Sequence, residues 1–296
     1  METINIVFIH KGNSWYLPYA LNQVKKSNPN ANIILLGDET NVQYSKIMKH
    51  YLISDYSKKA NDFANIYQHL SVAPYNYELF CIQRWFILLE FMEASNLENV
   101  MLPDTDVLIF QDVQKYFSNI NSDFHHTKGT TNPMGFVYFP HRKNLKLICN
   151  FITDIYSNQD SIKNLEESYI EYKAKNEFGG ISDITLFSMY EKESSYNVYN
   201  TEIPPLKGMS FIHSLESEFY KKQQNNYVKF EWKNNIPYGT LLTGERISII
   251  GVHCFGLQKR FIRKLYQGDG KWKAHVTYLW KESLFKHFFD IIRGRK

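Results

Sequence analysis

Two carboxylates one residue apart, Asp104 and Asp106, stand where the apolar run Val100-Met101-Leu102-Pro103 gives way to Val107-Leu108-Ile109-Phe110. On an extended strand residues i and i+2 share a face, so both carboxylates can address one hard divalent cation or its waters. Pro and Asp are also common turn residues, and a turn carrying two acids is the plainer reading. Far down the chain, the apolar segment Ile247 to Val252 leads into His253-Cys254-Phe255-Gly256-Leu257-Gln258-Lys259. An imidazole at a strand exit can complete a carboxylate metal site, a glycine permits close backbone approach, and a lysine neutralises an anion. Taken singly, His253 reads as a hydrogen-bonded buried histidine, Gly256 as a turn residue and Lys259 as a solvated charge. Arg84, a cation in an otherwise apolar stretch, can reach an anionic ligand or form a structural ion pair. Asp183, just after the hinge candidate Gly179-Gly180, can cap a helix or serve as a catalytic carboxylate.

The elements that must position these groups alternate between strand and helix patterns. Ile4 to Ile9 reads as a buried first strand, His10 to Ser14 as a loop, Leu17 to Lys26 as a helix, and Asn32 to Asp38 as a second strand with an acid at its exit. That is a β-α-β start, and ligands of such open sheets gather beyond the strand exits. No Gly-x-Gly-x-x-Gly follows the first strand, so a dinucleotide fingerprint is absent. Tyr77 to Ala94 is apolar nearly all round and reads as a helix packed on every side. Met134 to Phe139 reads as a strand, and Leu145 to Ser157 and Ile184 to Tyr190 as helices. Residues 158 to 176 read as a surface helix or loop, and 214 to 240 as irregular or edge structure. From Trp272 to Arg293 a stripe of Val276, Trp280, Leu284, Phe288 and Ile292 at spacing four predicts an amphipathic helix. It either docks on the core or lies on an anionic membrane.

Composition bounds the class. With 296 residues, 21 Tyr, 21 Phe, 14 Gly and 9 Pro, the chain has an aromatic-rich globular make-up and no sign of low complexity. Three cysteines, Cys81, Cys149 and Cys254, without CxxC spacing favour free thiols in a reducing compartment. The formal charge of +4 is uneven: 11 basic and 3 acidic residues fall between Leu257 and Lys296, leaving the rest of the chain acidic. The N-terminus lacks the pattern of a signal peptide, and no apolar run reaches the roughly 18 residues of a membrane span.

In the order of these motifs the chain resembles the GT-A class of nucleotide-sugar glycosyltransferases. It is similar to family 8, with its Asp-x-Asp and late His-x-x-Gly-x-x-Lys. The matching segments are Asp104-Thr105-Asp106, then Asn132-Pro133-Met134-Gly135-Phe136-Val137-Tyr138-Phe139, which is like that family's Asn-x-Gly strand with one residue extra, then His253 to Lys259. The resemblance implies that Asp104, Asp106 and His253 hold Mn²⁺ or Mg²⁺ on the diphosphate of the donor, expected to be a UDP-sugar. It implies that Gly256 and Lys259 touch that diphosphate, and that His10, Tyr16 and Asp38 lie where the base and ribose bind. Arg84 joins this donor set as a cation next to the anion. Where family 8 carries an acidic pair with a Gln, this chain offers Asp183 alone. In inverting GT-A enzymes a carboxylate near this point is the general base, so the stereochemical outcome stays open. Arg260-Phe261 replaces the Trp usual after the late Lys.

Two other readings compete. A haloacid dehalogenase-type phosphatase also begins from Asp-x-Asp-x-Val, but the late Gly268-Asp269 lacks the second acid that chemistry needs. A GT-A scaffold that binds nucleotide sugar or glycan without transfer is the non-enzymatic alternative. No nucleic-acid motif accompanies the basic tail. The expectation is an α/β GT-A fold, Rossmann-like, with a mixed central sheet flanked by helices. Residues 1–270 are expected to form the catalytic domain and 271–296 a basic C-terminal helix on the inner membrane face of the cytoplasm. The expected activity is metal-dependent sugar transfer to a glycan or lipid-linked acceptor in surface polysaccharide or glycolipid synthesis.

Overall fold

Strand β1 (Asn5–Ile9) sets the architecture, because Ile6 and Phe8 enter one apolar cluster and Val7 another, all three fully buried. A strand buried on both sides belongs inside a covered sheet. The computed structural model describes residues 3–292 except 119, 121–124, 130–134, 176–178 and 195. Its main sheet has the order β3 (Lys49–Leu52), β2 (Asn32–Gly37), β1, β4 (Val100–Pro103), β7 (Phe136–Phe139). All neighbours are parallel except β7, which runs antiparallel to β4. The fold is therefore α/β with a mixed central sheet flanked by helices, as the sequence implied.

On one face, Ile6, Phe8 and Leu35 pack with α1 (Leu17–Ser27) and α4 (Val113–Phe117). Pro18 in the first turn of α1 and Lys25 and Lys26 in its last suit the ends of a helix. On the other face lie α2 (Lys58–Ala64), α3 (Tyr75–Ala94), α5 (Arg142–Ser157), α6 (Gln159–Lys175) and α7 (Asp183–Glu193). Helix α3 is buried along most of its length, as expected for a helix without a polar face.

A second sheet joins β10 (Glu231–Lys233), β11 (Ile236–Thr240), β12 (Arg246–His253) and β5 (Val107–Ile109), all antiparallel, with β9 (Met209–Ile212) parallel to β12. The stretch from Glu231 to Thr240 is thus an ordered edge hairpin. Its two-residue turn, Asn234-Asn235, has both φ positive at 52° and 62°, which Asn tolerates. A small parallel pair, β6 (His126–Lys128) with β8 (Val198–Asn200), completes the strands among the described residues.

The chain crosses from the first sheet to the second between Pro103 and Val107. The carboxylates stand in a turn closed by Val107 N–H donating to the Asp104 carbonyl at 3.1 Å, not on the extended strand the spacing suggested. Strand β5 then pairs with β12 so that Val107 faces His253. The turn and the histidine, about 150 residues apart, become ladder neighbours.

After β12 a tight 3₁₀ turn, Gly256–Phe261, leads through α8 (Ile262–Leu265) to α9 (Lys271–Ile292). Helix α9 touches the body through buried Ala274, through Tyr278, which packs on Phe261, and through a His275 bond to the Tyr266 carbonyl at 3.1 Å. Trp272, Val276, Leu279 and Trp280 face outward at 57–67 % exposure. Beyond Lys281 only the backbone of α9 is described, so the side chains of Leu284, Lys286, Phe288 and Ile292, and residues 293–296, lie outside the described part. Among the described residues no helix is long and apolar enough to cross a membrane.

Candidate active site

Asp104, Asp106 and His253 each offer a ligand atom within 4.8 Å of the others. His253 Nε2 lies 3.2 Å from Asp106 and 3.7 Å from Asp104. The other ring nitrogen, Nδ1, donates to the His213 carbonyl at 3.1 Å, which fixes the ring and aims Nε2 at the carboxylates. Two carboxylates suit a hard divalent cation such as Mn²⁺ or Mg²⁺, and the imidazole favours Mn²⁺ of the two, with further positions left to ligand oxygens or water. The donor set fits the implied cation.

Two cations grip the same carboxylates. Lys259 Nζ reaches Asp106 at 2.7 Å, and the Arg84 guanidinium pairs with Asp104 while its other arm holds Asp183 at 2.7 Å. Burial raises the pKa of Asp104 against the pull of Arg84, with the neighbouring Asp106 adding to the rise. Asp106 moves the other way, to about 2, because His253 and Lys259 outweigh its desolvation. For His253 and Lys259 burial opposes the charge, but their carboxylate partners raise both pKa values.

Asp183 sits at the first position of α7, and the cap is its neighbour Ser182, which forms a capping box with Thr185. The Asp183 Oδ2 accepts from Arg84 and, at 3.1 Å, from Trp85 Nε1, while Oδ1 accepts from the Ile184 N–H at 2.9 Å. One lone pair of Oδ1 is left by these bonds. Gly179-Gly180, read as a hinge candidate, is pinned instead. Val72 N–H donates to the Gly179 carbonyl, Ile181 N–H donates to the Leu70 carbonyl at 2.8 Å, and Gly180 bridges Ser71. A Cβ on Gly180 would meet the Ser71 Cα at 2.4 Å, so close approach requires the glycine.

The N-terminal loop adjoins this cluster. His10 Nδ1 lies 3.0 Å from the hydroxyl of Thr105, the residue between the two acids, and its Nε2 lies 3.1 Å from Ser14. Burial lowers the His10 pKa, against Asp38 and Asp106, and keeps the ring neutral near pH 7. Tyr16 presents its ring to the Lys259 ammonium at 5.4 Å. Asp38 stands apart at the exit of β2, accepting from Gly12 N–H at 2.6 Å and from Thr40. Gly256 needs its glycine for conformation, with φ at +54° and open space where a Cβ would be.

Two supporting residues seat His253: Gly135, which the resemblance placed in an Asn-x-Gly-like segment without a role, and His213, which sequence reasoning missed. A Cβ on Gly135 would lie 2.6 Å from the His253 ring, and the Gly135 carbonyl accepts from Asp104 N–H at 2.8 Å, so this glycine seats both residues. The preceding Asn132-Pro133-Met134 lies outside the described residues. His213, fully buried, accepts at Nδ1 from the Gly135 N–H and bonds Thr201 through Nε2 at 2.9 Å. Burial and the nearby His253 push its pKa down to about 3, which matches this neutral tautomer. The available signal was positional: like His253, it directly follows an apolar strand.

No protein-family model and no curated protein sequence matches the chain. Solved structures similar to it include glycosyltransferases. Mouse xyloside xylosyltransferase 1 aligns with 68 % of this chain and 86 % of its own, at 8 % identity and a TM-score of 0.49. The galactosyltransferase LgtC, in complex with donor and acceptor sugar analogs, aligns with 93 % of this chain and 95 % of its own, at 11 % identity and a TM-score of 0.46. The bifunctional glycosyltransferase WbbM aligns with 92 % of this chain, which spans about half of WbbM (51 %), at 10 % identity and a TM-score of 0.49. At these values the chemistry of the site has to come from its own residues.

Proposed function

We propose that this protein is a metal-dependent GT-A glycosyltransferase that moves a sugar from a nucleoside diphosphate, UDP being the expected nucleotide, to a glycan or lipid-linked acceptor. The observation that carries the reading is the meeting of Asp104, Asp106 and His253 with Lys259 and Arg84 where the two sheets join. Breaking a sugar C1–O bond leaves negative charge on the diphosphate, and a site must stabilise that charge as it develops. Asp104, Asp106 and His253 would hold Mn²⁺ or Mg²⁺, which supplies Lewis-acid stabilisation of the diphosphate when bound. Lys259 adds a positive charge beside it, and Arg84 orients Asp104 against Asp183. The Asp183 Oδ1 lone pair that no described residue uses meets a sugar hydroxyl, as general base or as an acceptor contact. His10, Tyr16 and Asp38 line the nucleoside end, and the Gly256 turn carries Lys259 to the anion.

The outward face of α9 supports attachment to an anionic membrane surface, on the cytoplasmic side, where lipid-linked acceptors of surface polysaccharide or glycolipid synthesis are met. Trp272, Val276, Leu279 and Trp280 supply apolar area, and Lys271, Lys273 and Lys281 supply charge. In this proposal residues 1–270 are the catalytic part and 271–296 the attachment.

A panel of nucleotide sugars, incubated with and without a chelator, tests the activity without knowledge of the acceptor. Chelator-sensitive release of nucleoside diphosphate from one donor is the expected result. Tight donor binding with no release, even with acceptor mixtures added, would instead identify a non-catalytic nucleotide-sugar or glycan-binding scaffold.

A further inference from the structure

The main-chain ladder of β1 ends where His10 N–H donates to the Leu36 carbonyl at 3.0 Å, and the chain turns away at Gly12, with φ at +85°. Beyond that point side chains hold the loop: Asp38 accepts from the Gly12 N–H at 2.6 Å, and Asn41 takes the carbonyls. Asn41 is fully buried, and its Nδ2 donates to the carbonyls of His10 at 3.0 Å and Gly12 at 2.9 Å. Its Oδ1 accepts from Asp38 N–H at 3.0 Å and lies 2.8 Å from His50 Nε2. All four hydrogen-bonding positions of the amide are thus filled, which allows a single orientation. The chain also makes room for it: a Cβ on Gly37 would come within 2.0 Å of the Asn41 Oδ1.

Asn41 is also the third residue of a capping box with Asp38. That role uses only its oxygen. The two amide protons go to carbonyls 31 and 29 residues away, so they serve the loop and not the turn. From His10 the connection continues to Thr105 at 3.0 Å, inside the turn that carries Asp104 and Asp106.

We propose that Asn41 is a positioning residue for donor binding: it replaces the missing sheet partner of the His10–Gly12 loop and sets that loop against the Asp104–Asp106 turn. The inference rests on the reading above that this loop meets the nucleoside end of the donor. Asn41 touches no substrate itself. It fixes a loop before binding, so the ordering cost does not fall on the bound complex. Its removal should therefore weaken donor binding and leave turnover of bound donor nearly intact.

The test is Asn41→Asp, which keeps the shape and the oxygen facing Asp38 but sets a carboxylate oxygen against two carbonyls. Asn41→Ser, which removes the donors without adding charge, serves if the first variant does not fold. The matched control is Asn28→Asp. Asn28 is another buried amide, bonded to the Gln111 carbonyl and the Val113 N–H, and it lies before the start of β2. Calorimetry with UDP and Mn²⁺ gives Kd, and the donor found by the panel gives KM and kcat. The expected result for Asn41 variants is a rise in Kd and donor KM of about tenfold or more, with kcat within about twofold. Asn28→Asp should lower thermal stability and leave Kd and KM unchanged. Unchanged Kd and KM in folded Asn41 variants, or equal weakening in the Asn28 control, would overturn the assignment alone. Wild-type protein that binds no UDP with Mn²⁺ would overturn the donor reading and this inference with it.

Discussion

The Arg84 guanidinium joins Asp183 at 2.7 Å with one arm and Asp104 with the other, tying the start of α7 to the turn between the two sheets. A planar fork with fixed donor directions holds both carboxylates in one geometry, which a lysine cannot do. Asp183 then stands beside the proposed metal ligands although 79 residues separate it from Asp104 in the chain.

Loss of a ligand should abolish metal-dependent nucleotide binding. Asp106→Ala and His253→Ala are each expected to eliminate calorimetric binding of UDP with Mn²⁺ while circular dichroism stays native. Unchanged affinity in both folded variants would remove the metal site from the proposal.

Asp183→Asn should act on chemistry more than on donor affinity. Turnover is expected to fall at least about a hundredfold, the scale of a lost general base, with Kd for the donor nearly kept. Near-normal turnover would leave Asp183 as an anchor for Arg84 and Trp85 and nothing more.

A methyl group at Gly135 should disturb the site from beneath. In Gly135→Ala the new Cβ would lie 2.6–2.8 Å from atoms of His253, so the ring must shift off the carboxylates. Mn²⁺ affinity should fall about tenfold or more, read by paramagnetic line broadening, the scale of a disturbed group that orients a metal ligand. Wild-type Mn²⁺ affinity would show that the ring has room to give.

Acid should destabilise the fold through buried neutral imidazoles. Burial, together with the nearby His126 and Lys143, holds His125 at about 4, whereas an unfolded histidine titrates near 6.5. Below 6.5 the unfolded chain takes up a proton that folded His125 refuses, so stability falls with pH until about 4. Between pH 7 and 5 this residue alone should cost about 2 kcal/mol. His213 behaves alike, and His253, with its raised pKa, opposes them. Chemical denaturation at the two pH values should therefore show His125→Phe losing about 2 kcal/mol less than wild type. Equal losses would mean that His125 is protonated in the fold by pH 5.

The outward face of α9 should bind anionic vesicles. Each cation near such a surface contributes about 1 kcal/mol, so Lys271, Lys273 and Lys281 together favour reversible, salt-sensitive binding. Serine at Trp272, Val276, Leu279 and Trp280 is expected to abolish sedimentation with anionic vesicles and keep UDP binding, since all four are exposed. Wild-type protein that ignores such vesicles at low salt would refute the attachment.

The sequence by itself determined four strands of the main sheet, β1, β2, β4 and β7, and the identity of the groups that meet, whereas the half-exposed edge strand β3 carried no such pattern. The continuous apolar run Ile6-Val7-Phe8, the all-round apolar α3 and the acids after Val100-Met101-Leu102-Pro103 are local patterns, and local patterns survive without knowledge of the partner. The segments that carry the candidate site were legible for the same reason: polar residues at strand exits interrupt apolar runs. Only the tertiary structure decided that Asp104 and Asp106 lie in a turn and that this turn meets His253. That meeting depends on the register of β5 against β12, a pairing between segments about 150 residues apart. It also decided that Gly179-Gly180 is clamped, that Gly135 and His213 seat His253, and that Asn41 holds the first loop. Those roles come from close approach and from hydrogen bonds to main-chain groups of distant segments. The sequence records which side chain can donate, and the packed chain alone brings the carbonyl that accepts.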